Sequence, residues 1–213
     1  MDSSNWRRFF DGEGRPNCRA VVEGANSFFT SDARDALQKR GVVVIRDLSA
    51  NKCGVIASSY EVIANLLMEE SEFLENKEEY VADVMRILKR RAVDEAKLIF
   101  QRRRESGGSP TWTGISEALS AEINENYGKL FEFMEDRPEL LTRVAFRRVL
   151  LTHLPEFVGR HPAFRRRMGR LPLKYRCAMV ACEIASRAVY GEGWAGDFEG
   201  RVTNFVRKAF PGP

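Results

Sequence analysis

The reading of the fold turns on Ala20-Val21-Val22-Glu23-Gly24-Ala25-Asn26 and, shortly after it, Gly41-Val42-Val43-Val44-Ile45-Arg46-Asp47. Each has a short, mostly β-branched apolar run, which reads as a buried strand. Neither run alternates with polar residues, so both suit a parallel sheet covered on its two faces. Between them, Thr30-Ser31-Asp32 carries a hydroxyl cap and an acid for a first helical turn. The spacing predicts a helix over Asp32–Arg40, stopped by Gly41. Strand, helix and strand within about 26 residues make one βαβ unit. Two strands leave open sheet edges and little core. The expectation is therefore that the sheet is completed by another chain, or by strands that precede Met1 in a longer protein.

Working outward, the texture changes near Glu70. The expected organisation is residues 1–70 as the C-terminal part of a Rossmann-like domain and 71–213 as a helical domain. The fold class is thus an α/β remnant with about two parallel strands, followed by a mostly α-helical C-terminal region. In the helical part, Val81, Met85, Leu88, Ala92, Ala96 and Ile99 form one apolar stripe, ended by Arg102-Arg103-Arg104. Ser106-Gly107-Gly108-Ser109-Pro110 is a break. A second stripe is Ile115, Leu119, Ile123, Tyr127, Leu130 and Met134. A helix is expected from Pro138 through Leu141, Val144 and Ala145. A later one carries Cys177, Val180, Ala181, Ile184, Ala185 and Ala188, and the last spans Phe198 to Phe210. Such stripes are packing faces.

Composition narrows the function classes. The 213 residues are 44% hydrophobic and 30% charged with a net charge of +4, an ordinary balance that points to no polyanionic partner. No apolar run approaches the roughly 20 residues of a membrane span. The first residues lack the apolar core of a secretory signal and do not read as a transit peptide, which leaves the cytoplasm or an organelle matrix as the expected location. Cys177 and Cys182 lie five apart, on a helix roughly 140° from each other. With only two histidines and neither near them, no metal site is expected. Arg160, Arg165, Arg166, Arg167, Arg170, Lys174 and Arg176, with Phe164 and Tyr175 interleaved, form a basic run. It reads as a solvated face or a salt-bridge set, with a nucleic-acid-binding module as the rival.

In parallel sheets, ligands sit at the carboxyl ends of strands. Here those ends lead into Glu23-Gly24-Ala25-Asn26 and Asp47-Leu48-Ser49-Ala50-Asn51-Lys52-Cys53-Gly54, read as two loops. Asn26 and Asn51 offer carboxamides that match the carboxamide of nicotinamide. Gly24 and Gly54 allow close backbone approach. A helix expected from about Val55 places Ser58 and Ser59 in or near its first turn, where free N–H groups favour a carboxylate. Taken singly, loop asparagines make turns and first-turn serines cap helices; their convergence on one sheet edge carries the functional reading.

These residues, with Ala50-Asn51-Lys52-Cys53-Gly54-Val55 and Ser58-Ser59-Tyr60-Glu61-Val62, resemble the Glu/Leu/Phe/Val dehydrogenase superfamily. Trp6, Phe9-Phe10-Asp11 and Gly14-Arg15-Pro16 resemble its large-subunit NAD-dependent glutamate dehydrogenases, in their C-terminal part. The resemblance implies oxidative deamination of L-glutamate to 2-oxoglutarate and ammonia, with hydride transfer to NAD, in a homo-oligomer of the cytoplasm or mitochondrial matrix. It implies Asn26, Asn51 and Gly24 on the nicotinamide side and Ser58 with Ser59 at the substrate's side-chain carboxylate. It implies neither a nucleic-acid nor a membrane partner. Cys53 stands where that family often has glycine, Ser27 where it often has leucine, and Ile56 and Ala57 where this class often has Thr and Ser. No counterpart of the family's catalytic lysine, catalytic aspartate or glycine-rich pyrophosphate loop occurs in these residues. The isolated chain is accordingly expected to be inactive, and a catalytically silent assembly protein is the alternative. Gly191-Glu192-Gly193-Trp194-Ala195-Gly196 fits G-x-G-x-x-G but follows a helical stripe instead of a strand, so it reads as a helix exit and loop.

Overall fold

In the computed structural model, which describes residues 1–191 and 198–211, the two apolar runs pair as parallel strands β1 (Ala20–Val22) and β2 (Val43–Ile45). The register sets Ala20 opposite Val43, Val21 opposite Val44 and Val22 opposite Ile45. The connecting helix α1 (Ser31–Gln38) begins after Thr30 at the cap position, although the Thr30 side chain makes no capping hydrogen bond. Gly41, at φ +84°, turns the chain into β2, a conformation that glycine adopts without a steric cost. One βαβ unit is therefore present as expected.

The strands are not buried on both faces. Val42 and Val44 are sealed in a core with Phe29, Ala33, Leu37 and Trp6, whereas Val22 is 65% exposed. The reason is that α1 and the N-terminal 3-10 turn Trp6–Phe9 supply cover for one face only. That turn is followed by an antiparallel bridge between Phe10 and Pro16, and the Arg40 guanidinium lies 4.3 Å from the Trp6 ring centroid.

After β2 the chain is helical: α2 (Asp47–Ala50), α3 (Lys52–Leu67), α4 (Glu70–Glu105), α5 (Trp112–Asp136), a 3-10 turn (Pro138–Thr142), α6 (Val144–His153), α7 (Glu156–Arg160), α8 (Pro162–Arg167), a 3-10 turn (Met168–Arg170), α9 (Leu173–Tyr190) and α10 (Phe198–Ala209). Its internal contacts divide the chain into two compact units: Met1–Ile56 with Arg90–Ala121, and Ala57–Lys89 with Glu122–Pro213.

Several helical expectations are corrected. On α4 the buried apolar face is Tyr80, Val84, Ile87 and Ile99, while Val81 and Met85 are exposed. Buried Asp83 and Glu95 share that face, so hydropathy alone selected the neighbouring stripe. The helix expected from Pro138 is two elements, because Arg143 is extended (φ −70°, ψ 140°) between them. The α9 stripe packs as read, with Cys177, Val180, Ala181, Ile184, Ala185 and Ala188 buried; on α5 Ile115, Leu119, Leu130 and Met134 are buried, whereas Ile123 and Tyr127 are half-buried. Residues 192–197 of the G-x-G-x-x-G sequence and the terminal Gly212-Pro213 lie outside the described residues. Among the described residues no helix is long and apolar enough to cross a membrane.

In the second unit, polar anchors tie the helices together. The Tyr60 hydroxyl donates to the His153 carbonyl at 2.8 Å, and the Tyr80 hydroxyl donates to the Tyr60 carbonyl at 2.7 Å. Asp83 accepts from the Phe157 N–H at 2.5 Å. The basic run splits between two roles. Arg160 pairs with Glu79 at 2.6 Å and Arg167 grips Glu72 at 2.5 and 2.8 Å, so these two belong to a salt-bridge set.

Candidate functional site

The carboxyl ends of β1 and β2 lie side by side because the strands are parallel and in register. Beyond β1 the chain leaves the sheet at Glu23, whose N–H still donates to Ile45 O at 2.9 Å. It then turns through Gly24, Ala25 and Asn26 to Ser27, which adopts φ +53°. A left-handed serine is costly unless its surroundings hold it. Asp47 does so, accepting the Ser27 N–H at 2.8 Å.

Beyond β2 the segment Asp47–Ala50 is a short helix, α2, and not the loop expected. A hinge at Asn51 follows, and α3 starts directly at Lys52, earlier than the expected Val55. The Asn51 carboxamide donates to the Asn26 side-chain oxygen. Two residues 25 positions apart are thereby brought into direct contact at the strand ends. Among the described residues the other half of each carboxamide, Asn26 Nδ2 and Asn51 Oδ1, has no protein partner. A Cβ placed on Gly24 would meet nothing within 4 Å, so the space beside that loop is open.

Ion pairs missed by the sequence reading hold the two segments. Arg34, on the buried side of α1, donates from Nε and Nη2 to the two carboxylate oxygens of Glu23 at 2.7 and 2.8 Å. It also approaches Asp47 at 3.5 Å. Arg34 is 6% exposed and Glu23 3%, so the charge pair is sealed from water. The hydrogen bond to Glu23 raises the Arg34 pKa against the opposing effect of burial. Burial also works against ionised Asp47, but the Ser27 and Leu48 N–H groups, Arg46 and Arg34 outweigh it and hold the carboxyl below its ordinary value. On the other side of Asn51, Lys52 contacts both oxygens of Glu95 at 2.8 Å, and the Ser49 hydroxyl donates to Glu95 at 2.7 Å. Arg34 carried a faint signal, an arginine beside Ala33 and Leu37 on an apolar helix face. Glu95, in contrast, could be found only by a tertiary contact.

The two serines are placed differently from the asparagines. Because α3 begins at Lys52, Ser58 and Ser59 fall in its second turn, not the first, and both are exposed. They belong to the second compact unit, whereas Gly24, Asn26 and Asn51 belong to the first. Cys53 lies in the first turn of α3; burial, and then the Glu95 carboxylate, push its thiol pKa up, so it stays protonated at neutral pH. Among the described residues no group of three His, Cys, Asp or Glu side chains is arranged to hold a metal ion.

A parallel strand pair whose carboxyl ends converge on polar side chains defines the class: the remnant of a Rossmann-like domain followed by a helical region. Residues 6–105 match the Glutamate/Leucine/Phenylalanine/Valine dehydrogenase family. The chain resembles the NAD-specific glutamate dehydrogenases within it. It is 36% identical over 202 residues to a probable NAD-specific glutamate dehydrogenase of Schizosaccharomyces pombe, covering 89% of this chain and 18% of that protein. It is 32% identical over 193 residues to the NAD-specific glutamate dehydrogenase of Neurospora crassa, covering 85% of this chain and 18% of that protein. A shorter match, 48% over 56 residues, is to an NADP(+)-dependent glutamate dehydrogenase of Pyrobaculum calidifontis, covering 26% of this chain and 13% of that protein. The chain thus spans under a fifth of the length of the long relatives it resembles. No solved structure matches the chain.

Proposed function

We propose that this chain supplies the nicotinamide side and the substrate-carboxylate side of an NAD-dependent glutamate dehydrogenase, which oxidises L-glutamate to 2-oxoglutarate and ammonia. The observation that carries this reading is the Asn26–Asn51 contact at the ends of two parallel strands. The residues fit a nicotinamide: the free half of each carboxamide offers a donor and an acceptor, and the space at Gly24 is open. Asn26 and Asn51 orient the ring's carboxamide, and the Glu23–Arg34–Asp47 and Lys52–Glu95 pairs hold the two asparagines in place. NAD, when bound, accepts the hydride from the substrate's α-carbon. Ser58, supported by Ser59, holds the substrate's side-chain carboxylate. In this reading residues 1–70 close the NAD-binding domain and 71–213 form the helical domain, within a homo-oligomer of the cytoplasm or mitochondrial matrix.

No side chain of this chain acts as the catalytic acid, base or nucleophile, so the isolated chain is inactive. The test has two arms. The purified chain with L-glutamate and NAD gives no NADH, while in an intact enzyme containing these residues Ser58→Ala raises KM for glutamate more than it lowers kcat. NADH production by the chain alone overturns the assignment of catalysis to other residues. An unchanged KM in the Ser58→Ala enzyme overturns the substrate assignment. A silent assembly protein is the alternative, and an intact protein with no glutamate oxidation would favour it.

A further inference from the structure

The basic run of the second unit has a remainder that the salt bridges do not use. Arg165 and Arg166 on α8 and Arg176 on α9 meet Arg147 on α6 around one pocket of about 500 Å³. That volume lies in the range of small-molecule sites. The lining holds no acidic residue, and among the described residues none of the four guanidinium groups has a carboxylate partner. Arg176 Nε is buried without a hydrogen-bond partner. A buried donor of that kind is destabilising until something accepts its hydrogen. The four like charges repel one another as well, and an anion bound among them relieves that repulsion.

The chemistry of the ligand follows from the lining. Guanidinium forks match phosphate oxygens two at a time, and several of them around one cavity suit a group with more than one negative charge. Leu150 and Met168, both buried, and Leu151 give the same pocket an apolar part. Four neighbouring positive charges gather around a concavity, while Arg160 and Arg167 of the basic run are engaged by Glu79 and Glu72, and exposed Arg170 and Lys174 lie outside the lining. A concavity suits a small molecule better than an extended nucleic-acid backbone. We propose that the pocket between α6, α8 and α9 binds a small organic phosphate, with its phosphates on Arg147, Arg165, Arg166 and Arg176 and its apolar portion on Leu150, Leu151 and Met168. This site is independent of the dehydrogenase reading, since none of its residues takes part in that reaction.

The test is calorimetric titration of the purified chain with sodium tripolyphosphate at low salt. One site is expected, with affinity falling steeply as salt rises. The variant Arg165→Gln/Arg166→Gln, in which both altered residues are exposed, keeps the fold by circular dichroism and weakens binding at least tenfold. Arg176→Gln does the same, and the exposed Lys208→Gln on α10 leaves binding unchanged. Absence of binding overturns the proposal. So does equal weakening by Lys208→Gln, which would mean diffuse surface charge only. Mixed-sequence RNA that binds more tightly than tripolyphosphate and displaces it would also overturn the proposal, in favour of a nucleic-acid surface.

Discussion

The strand-end edge of the first unit and the helical core of the second are built on opposite plans. At the strand ends, sealed charges fix backbone that has few partners of its own: Arg34 holds Glu23 and Asp47, and Asp47 holds the left-handed Ser27. In the second unit, α9 buries Cys177, Val180, Ala181, Ile184, Ala185 and Ala188 as an apolar face beside Glu183, which meets His153 at 3.4 Å, and the arginine–glutamate pairs are partly exposed, as Arg167–Glu72 is. A buried pair is costly to halve, because the survivor is left charged and dry. An exposed pair loses little when water replaces a partner. Position at the strand ends thus rests chiefly on sealed charge pairs, whereas the helical unit rests chiefly on apolar packing, with a few buried polar anchors such as Tyr60, Tyr80 and Asp83.

The comparison breaks most easily at Arg34. Arg34→Met leaves Glu23 buried without its partner and is expected to cost about 3–5 kcal/mol by chemical denaturation. A loss below about 1 kcal/mol would mean that the strand-end loops are held by something else. In the second unit Ile184→Ala opens a cavity in the α9 face and is expected to cost about 2–5 kcal/mol. Ile184→Val, removing one methylene, should cost about 0.5–1.5 kcal/mol, and this grading by volume is what packing predicts.

The smallest effect concerns Glu72. The hydrogen bond from Arg167 holds its carboxyl down to about 2, against an ordinary value of 4.5. A depressed folded-state pKa contributes stability that is fully present above 4.5 and lost as pH falls through about 2. Arg167→Met should therefore flatten the acid limb of a stability–pH curve in that window and leave the curve above pH 5 parallel to that of the unaltered chain. An acid limb unchanged by Arg167→Met would assign the acid sensitivity to other carboxylates, Asp47 first among them.

The same division explains what was legible in the sequence. Valine-rich runs and a glycine stop gave β1, α1 and β2, because local propensity and the parallel pairing agree there. The stripes of α5 and α9 were legible because their apolar positions recur every three or four residues and are largely buried, even though Ser116 on α5 and Glu183 and Ser186 on α9 are buried beside them. On α4 the reading slipped to the Val81–Met85 face, since Asp83 and Glu95 are buried through contacts with Phe157, Lys52 and Ser49 from elsewhere in the chain. The start of α3 was placed late because Cys53-Gly54 reads as a loop, while Lys52 and Ser49 are anchored on Glu95. Asn26 and Asn51 were legible as candidates from their places after the strands. Their contact, and the Glu23–Arg34–Asp47 network beneath it, needed the third dimension.

The central claim is that Asn26 and Asn51 act as one unit toward the nicotinamide. It is tested most directly by a double-mutant cycle on turnover in an intact glutamate dehydrogenase carrying these residues. Asn51→Ala is expected to lower kcat on the order of a hundredfold, through lost positioning of the reacting ring. Asn26→Ala is expected to lower it comparably, and the double variant little further than either alone, because partners in one contact are not additive. Unchanged turnover in the single variants, or losses that simply multiply in the double variant, would contradict the account.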